Sequence, residues 1–258
     1  MNDRPRQTAT GLPPPEDTVM QMVMGAWVSQ AISTLTRLDI PDLLKKHGPQ
    51  TARELTEKFG VNAKPEFLER VLRACASVGF FSEAADDRFS VTALSNVLTS
   101  RSPVSVKKLT EVFGASWWKF WSGLENTLRT GESQPMVLFG MEYWDYCRSN
   151  PKEMEDFGEA MKSNSINSTR GVLEFCDFSQ SRKVVDVGGG FGHLAIALLK
   201  KYKHLQAIVL ELPDLIPMVR QQMQGENENV IQRVKLVGGN MFEEVPKADV
   251  IYSQAHYL

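Results

Sequence analysis

The chain has 258 residues, a formal net charge of −2 and 42% hydrophobic residues. This length accommodates two domains or one large one, and the composition is that of an ordinary globular protein. The balanced charge argues against nucleic acid or an anionic membrane as a partner. Cys75, Cys147 and Cys176 are widely spaced and form no metal-ligand pattern. We therefore expect reduced thiols in a cytoplasmic protein and no metal site.

The first 16 residues are polar and rich in proline, without the apolar run that a signal peptide needs. No later apolar run approaches the length that crosses a bilayer. We expect residues 1–16 to be a disordered leader and the rest to be rich in helix.

A long amphipathic helix is predicted directly after the leader. Apolar residues recur at three- and four-residue steps from Met20 to Leu38, which is the spacing of one helix face. This face contains several methionines and could pack on its own domain or on a second subunit. The sequence leaves both interpretations open.

Residues 17–110 are predicted to form a helical domain of the winged-helix type. Thr51 and Glu54 have the spacing of a capping box, in which each side chain accepts from the backbone N–H of the other residue. A further helix spans residues 67–75, and residues 86–92 indicate two short strands around an acidic turn. The second helix of this pair carries acids and bases in near balance, so DNA binding is disfavoured.

Residues 111–180 are predicted to be a helical linker that contributes to an acceptor pocket. Aromatic residues are dense at 113–121 and again at 139–146. They could be plain core, or they could line a cavity for an aromatic substrate. A helix follows, with methionine and asparagine three residues apart on one face. The candidate pocket residues are Trp117, Phe120, Trp144, Met161 and Asn164.

From residue 181 onward, short apolar strands alternate with helices. This βαβαβ pattern predicts a parallel sheet with right-handed crossovers. The predicted strands are Val184–Val187, Ala207–Leu210, Val234–Val237 and Asp249–Tyr252, and the predicted helices end near Lys200 and span Pro213–Met223.

Glycines at 188, 189, 190 and 192 follow the first strand directly. Such a loop lets a ligand approach the backbone, and the following helix offers free N–H groups and a positive dipole end. The G-x-G-x-x-G spacing of dinucleotide sites fails at His193. The spacing favours a ligand with an adenosine but no pyrophosphate, although a purely structural turn is the alternative.

Two other strand ends carry polar residues suited to a nucleoside. Glu211 follows the second strand about twenty residues after the glycines, where a carboxylate can accept both ribose hydroxyls. The alternative is a solvated acid at a strand end. After the third strand, Asn240 can hydrogen-bond an adenine edge and Met241 can lie against its face.

These segments resemble the plant caffeate/flavonoid-type and bacterial small-molecule O-methyltransferases, which use S-adenosyl-L-methionine. The matching segments are 185–192 (VDVGGGFG), 211–213 (ELP) and 238–249 (GGNMFEEVPKAD). The resemblance implies an α/β, Rossmann-like class I methyltransferase domain at 181–258, preceded by a winged-helix dimerisation domain that forms a homodimer. It implies a cofactor set of Asp186, Gly188, Gly190, Glu211, Leu212, Asn240, Met241 and Gln254. Asp186 and Gly188 would hold the methionyl end, Glu211 the ribose, and Asn240 with Met241 the adenine.

The sequence departs from the family pattern at two places. The family has aspartate where Asn240 stands, and asparagine keeps an acceptor while adding a donor. The family also continues into a Lys-x-x-x-His-Asp-Trp segment whose histidine is the general base, and here Leu258 falls at that histidine. His256 is a candidate base, but a two-residue offset on a strand displaces it by about 6.6 Å. The catalytic residue therefore remains unassigned.

We expect an incomplete parallel sheet, because the chain ends after the fourth predicted strand. A truncated chain, a split gene product or completion by a partner would each explain this ending. The predicted activity is methylation of a hydroxyl on an aromatic or polyketide-like small molecule. The alternative is a cofactor-binding homologue that is inactive or redirected to other chemistry, and a transcription factor is the weakest interpretation.

Overall fold

The computed structural model describes residues 13–253, apart from the side chain of Gln222. The first twelve residues of the predicted leader and the end of the chain lie outside this range. The described chain divides into two compact units between Ala160 and Met161.

The first unit is mainly helical, with one two-stranded antiparallel sheet formed by β1 (Phe81–Glu83) and β2 (Phe89–Val91). Its helices are α1 (Pro15–Arg37), α2 (Ile40–His47), α3 (Ala52–Glu57), α4 (Pro65–Ser77), α5 (Ala93–Asn96), α6 (Lys107–Phe113), α7 (Ser116–Ser122), α8 (Leu124–Thr130), α9 (Gln134–Phe139) and α10 (Tyr143–Ser149). Helix α11 (Pro151–Phe175) continues from the first unit into the second.

Helix α1 begins at Pro15, where a proline costs nothing because the first-turn N–H groups have no intrahelical partner. Only its second half reaches the core, through Ile32 and Leu35. The first half exposes large apolar side chains, and Trp27 is 70% exposed. Within the described first unit, the apolar face predicted from the sequence is therefore only partly covered.

The helices and the two strands enclose one apolar core. Its fully buried members include Leu35, Ile40, Leu44, Leu55, Leu72 and Phe89. The predicted capping box is confirmed: Thr51 Oγ1 accepts from the Glu54 N–H at 3.1 Å, and Glu54 Oε2 accepts from the Thr51 N–H at 2.9 Å. Arg88, the residue before β2, also donates to both oxygens of Glu54, at 2.7 and 2.9 Å. The strand pair is thereby fixed to helix α3.

Arg73 on helix α4 forms ion pairs with three carboxylates. It contacts Glu69, Glu83 and Asp87 at 3.1, 2.7 and 3.2 Å. The guanidinium serves to hold this helix to the strand pair.

Lys107 is a buried cation at the start of α6. Its side chain is 10% exposed, and Nζ donates to Asp39, to Asp42 Oδ2 at 2.7 Å and to Ser100 Oγ at 3.1 Å. Burial raises the pKa of Asp42, but the hydrogen bonds from Lys107 and Ser100 outweigh it, and the net pKa is lowered. This cluster ties α2 to α6.

We expect Lys107→Met to lower the free energy of unfolding of the first unit by about 2–3 kcal/mol, because it leaves two carboxylates without their cation. Tryptophan fluorescence in urea measures this, since all five tryptophans lie between residues 27 and 144. Lys108→Met is the control, because that ammonium is more exposed and pairs with Glu111, and should cost less than about 0.5 kcal/mol. Equal losses would refute a special role for Lys107.

The second unit is built on a parallel sheet, as the alternation of strands and helices predicts. Its strands are β3 (Lys183–Val187), β4 (Gln206–Glu211), β5 (Val234–Gly238) and β6 (Val250–Ser253), in the order β5-β4-β3-β6. The helices are α12 (His193–Lys201), α13 (Ile216–Met223) and α14 (Glu228–Ile231), with a short 3-10 helix at Pro213–Leu215. The segment predicted as one helix from Pro213 thus starts as a 3-10 turn.

Alternation along the strands gives the sheet two apolar faces. One face packs with α12 and includes Val184, Ala207 and Val209. The other includes Val185, Val187 and Leu210. Asp186 shares the first face, because it stands between Val185 and Val187 and strand side chains alternate. Across the described residues, no helix combines the length and apolar character that a bilayer crossing requires.

Candidate functional site

The carboxyl ends of β3, β4 and β5 bring the predicted nucleoside-binding segments together. The Gly188 N–H donates to the Leu210 carbonyl at 2.9 Å, and the Gly239 N–H donates to the Glu211 carbonyl at 2.9 Å. The glycine loop, Glu211 and the start of the Gly239–Asn240 segment are therefore direct neighbours. Strands β4 and β6 flank β3 on opposite sides, and ligands of open parallel sheets bind at such a switch point.

The glycine loop has a backbone that other residues adopt with strain. Gly188, Gly190 and Gly192 have φ values of 64°, 52° and 74°, in the left-handed region where a side chain costs energy. A Cβ at Gly188 or Gly190 would meet no atom within 4 Å, so both positions border open space. At Gly189 a Cβ would lie 2.7 Å from Asp186 Cγ and 2.8 Å from its Oδ2. The loop thus packs directly on the Asp186 carboxylate.

Asp186 is a buried acid, only 4% exposed. Burial, and then the nearby charge of Glu211, raise its pKa to about 7, against an opposing hydrogen bond from the Ala195 N–H at the start of α12. A carboxyl with this pKa is partly ionised at neutral pH. It would become fully ionised if a positive charge were bound beside it.

Glu211 is partly buried at the end of β4 and is held by the backbone. Its Oε1 accepts from the Gly190 N–H at 3.1 Å and its Oε2 accepts from the Leu212 N–H at 2.7 Å. These bonds fix the carboxylate against the glycine loop. Two acids, one buried and one partly exposed, therefore flank the same loop.

The residues after β4 and β5 present apolar surface beside Glu211. Leu212 is 56% exposed and Met241 is 44% exposed. Asn240 forms a local turn, in which Oδ1 accepts from the Phe242 N–H at 3.0 Å and Nδ2 donates to Glu243 Oε1 at 2.9 Å. Asn240 and six other predicted cofactor residues therefore lie at this edge of the sheet. The remaining one, Gln254, lies outside the described residues.

Two residues of this region were not singled out in the sequence as site residues. His193 is the first residue of α12, where burial and then Lys162 lower its pKa against the opposing charge of Glu226. Tyr252 is the β6 neighbour of Asp186 in the sheet register, and burial followed by the charge of Asp186 raises its pKa. His193 follows the glycine loop and Tyr252 ends a predicted strand, but the contacts that shift their pKa values come from the fold.

The first unit gathers three of the predicted pocket residues in one aromatic cluster. Phe120 and Trp144 both contact the Tyr143 ring, and Trp117 donates its Nε1–H to the Tyr143 hydroxyl at 3.1 Å. Trp117 and Trp144 also contact Phe157. Burial is the main cause that raises the pKa of Tyr143, so its phenol stays protonated. The cluster is a neutral aromatic surface on which Trp144 is half exposed.

The other two predicted pocket residues, Met161 and Asn164, lie on α11 within the second unit and are partly buried. The candidate base His256 lies outside the described residues. Among residues 13–253, no group of histidine, cysteine and acidic side chains is arranged to hold a metal ion.

Two family models match the chain. Residues 20–101 match an O-methyltransferase dimerisation domain, and residues 121–255 match an O-methyltransferase domain. The second match alone covers about half of the chain.

Individual relatives agree with the family models. Mitomycin biosynthesis 6-O-methyltransferase of Streptomyces lavendulae is 34% identical over 94% of this chain and 69% of its own length. Phenazine O-methyltransferase of Lysobacter antibioticus is 30% identical over 94% of this chain and 70% of its own. The solved structure of a mitomycin 7-O-methyltransferase superposes with a TM-score of 0.71 at 35% identity, covering 93% of this chain and 70% of that one. With its helical first unit and parallel sheet, the chain therefore belongs to the family of S-adenosylmethionine-dependent O-methyltransferases.

Proposed function

We propose that this chain transfers a methyl group from S-adenosylmethionine to a hydroxyl of an aromatic or polyketide-like small molecule. The observation that carries the proposal is the convergence of Asp186 and Glu211 on a glycine loop that borders open space at Gly188 and Gly190. The comparisons give no support to the alternative of a homologue that does not transfer methyl groups.

The residues at this edge fit the donor in charge and in shape. When bound, S-adenosylmethionine supplies an electrophilic methyl group on a positively charged sulphur, and it carries a positive ammonium group as well. Asp186 and Glu211 provide the opposite charge, and attraction to a positive ligand favours the ionised form of Asp186. The Cβ-free positions at Gly188 and Gly190 allow a ligand to reach the backbone.

We assign each cofactor residue the role that the family resemblance implies. Glu211 accepts hydrogen bonds from the ribose hydroxyls, since its orientation is already fixed by two backbone N–H groups. Leu212 and Met241 supply apolar surface for the adenine ring, and Asn240 supplies its edge contacts. Asp186 and Gly188 hold the methionyl end. Gln254, beyond the described residues, completes the proposed set.

The aromatic cluster of the first unit supports an aromatic acceptor. Trp117, Phe120 and Trp144 offer flat apolar surface, and offset or edge-on ring contacts add binding energy beyond burial alone. In the second unit we assign Met161 and Asn164 to acceptor contacts. The relatives named above act, by their names, on mitomycin and phenazine compounds, and an aminohydroxybenzoate O-methyltransferase of Streptomyces cremeus is 26% identical.

The active form is proposed to be a cytoplasmic homodimer. The match to a dimerisation domain covers residues 20–101, and the first half of α1 exposes an apolar face that a second copy would cover. That face consists of Val19, Met20, Met22, Val23, Met24 and Trp27. Light scattering of the intact chain and of a Met22→Glu/Trp27→Glu variant would test this, because the variant should be a monomer.

The proposed activity is tested by mass spectrometry with a methyl-deuterated donor and a panel of phenols and hydroxyquinones. A deuterated methyl ether among the products is the expected result. Calorimetry with S-adenosylhomocysteine should show binding in the same preparation. Binding without any methylated product across the panel would instead favour a homologue with other chemistry.

Two glycine variants distinguish a position that borders the proposed ligand from a position that packs on the protein itself. Gly188→Ala should cost the free protein about 1 kcal/mol, through its positive φ, and abolish measurable binding of S-adenosylhomocysteine, because the new methyl enters the ligand space. Gly189→Ala should cost about 1–3 kcal/mol of stability through its clash with Asp186. Thermal unfolding and calorimetry measure both quantities. If Gly188→Ala binds as the parent does, the donor does not lie against this loop.

A further inference from the structure

An open cavity lies at the amino edge of the parallel sheet, opposite the glycine loop. It has a volume of about 680 Å³ and is lined by Arg182, Lys183, His204, Gln206, Lys247, Ala248 and Asp249. Strand β3 runs from Lys183 to Val187, so about 13 Å of strand separates this cavity from the glycine loop. None of its lining residues belongs to the proposed methyl-donor site.

The sheet ladder holds the basic residues of this cavity together. Gln206 donates its N–H to the Arg182 carbonyl at 2.9 Å, and Asp249 donates its N–H to the Lys183 carbonyl at 3.1 Å. The starts of β3 and β4 and the segment before β6 therefore meet at one edge. Lys247 is carried there by the same segment, two residues before Asp249.

The charge in this cavity is unbalanced. Three of the lining side chains are basic, and Asp249 is the one carboxylate in the lining. Asp249 Oδ2 already accepts from the backbone N–H groups of Arg182 and Lys183, at 2.7 and 2.9 Å. No salt bridge joins Arg182, Lys183 or Lys247 to a carboxylate within residues 13–253. The pKa of Asp249 is nevertheless lowered, first by the backbone hydrogen bonds from Arg182 and Lys183 and then by their charges. Arg182 and Lys247 are exposed and Lys183 is partly buried, so solvent screens part of the repulsion among them and a bound anion would remove the rest.

We propose that this cavity binds a small phosphate-bearing anion. A multiply charged phosphate matches several cations at once, and guanidinium and ammonium groups are the usual donors to phosphate oxygens. This inference does not depend on the proposed methyl transfer, because the two sites share no residue.

Calorimetric titration of the intact chain with pyrophosphate at constant ionic strength tests the proposal. We expect saturable binding, and a melting temperature that rises with pyrophosphate, since a ligand of the folded state stabilises it. Arg182→Gln/Lys247→Gln should weaken binding at least about tenfold, by removing two of the three cations. The matched control is Lys235→Gln, an exposed lysine on β5 outside the cavity, and it should bind as the parent does.

Two further measurements decide between a site and general salt effects. Sulphate at the same ionic strength should raise the melting temperature less than pyrophosphate does. The double variant should bind S-adenosylhomocysteine as the parent does, which separates this site from the methyl-donor site. Equal pyrophosphate affinity of the parent and the double variant, or equal effects of the two anions, would overturn the proposal.

Discussion

Asp186→Asn is expected to stabilise the ligand-free protein at pH 8 by roughly 3 kcal/mol, and to weaken binding of the methyl donor about 100-fold. The two effects have one cause. Asp186 is buried next to Glu211, and its pKa of about 7 shows that the folded protein resists the second negative charge. Asparagine keeps an oxygen for the Ala195 N–H, but it carries no charge for a positive ligand.

The direction of the pH dependence follows from proton binding. The folded-state pKa of Asp186 lies above the ordinary value of 3.8, so between these two values the folded state holds a proton that the unfolded chain has lost. The contribution of Asp186 to the free energy of unfolding is therefore largest below pH 4 and declines as the pH rises to 7. The asparagine variant lacks this decline, and its advantage over the parent grows across that interval.

Hydrogen exchange of the β3 and β4 amides at pH 5 and pH 8 measures this effect, because the second unit contains no tryptophan. In the parent, donor binding should release a proton near pH 7, which calorimetry detects as a heat that varies with the ionisation enthalpy of the buffer. If the stability of the parent protein does not change with pH and its binding heat does not change with the buffer, Asp186 is already ionised in the free protein.

Glu211→Gln is expected to weaken binding of S-adenosylhomocysteine by a factor of about 100, or about 2.7 kcal/mol. Hydrogen bonds from two hydroxyls to a charged acceptor contribute about 1.5–3 kcal/mol each, and the amide offers one neutral oxygen in place of the carboxylate. That oxygen must also serve the Gly190 or Leu212 N–H. The variant should fold normally, because the position is partly exposed.

Glu228→Gln is the matched control, since this exposed acid on α14 lies away from the carboxyl edge, and calorimetry should show parent affinity. Removing the Glu211 charge should also lower the pKa of Asp186, because that charge is one of the causes of its elevation. The pH dependence of β3 exchange should then move to lower pH. Unchanged affinity in Glu211→Gln would remove the ribose role from this residue.

Local sequence predicted much of the second unit. The apolar run at β3, the glycines and α12 are adjacent in the chain, so their order alone defines a strand, a turn and a helix. The Thr51–Glu54 capping box is also predictable from the local sequence, because both partners lie within one helical turn. Glu211 and Asn240 were placed at the same edge because parallel strands end together.

Contacts between distant segments could not be predicted in this way. The bidentate bond of Arg88 to Glu54 joins residues 34 apart, and nothing in either local pattern indicates it. The packing of Gly189 on Asp186, and hence the protonation of that acid, depends on how the loop folds back over the strand. Helix α11 continues through Phe175 past a polar serine and asparagine stretch, because packing of Val172 and Leu173 on the core outweighs the weak helix propensity there.

The strand order also bears on how the chain assembles. Val184 pairs with Ala207, 23 residues away, but with Val250 it must close a separation of 66 residues. The longer closure costs roughly 0.9 kcal/mol more in chain entropy. We therefore expect the β3–β4 pair to form before β6 joins the other side of β3. A ligand bound at the carboxyl ends of β3 and β6 would then help to retain β6 once it has joined the sheet.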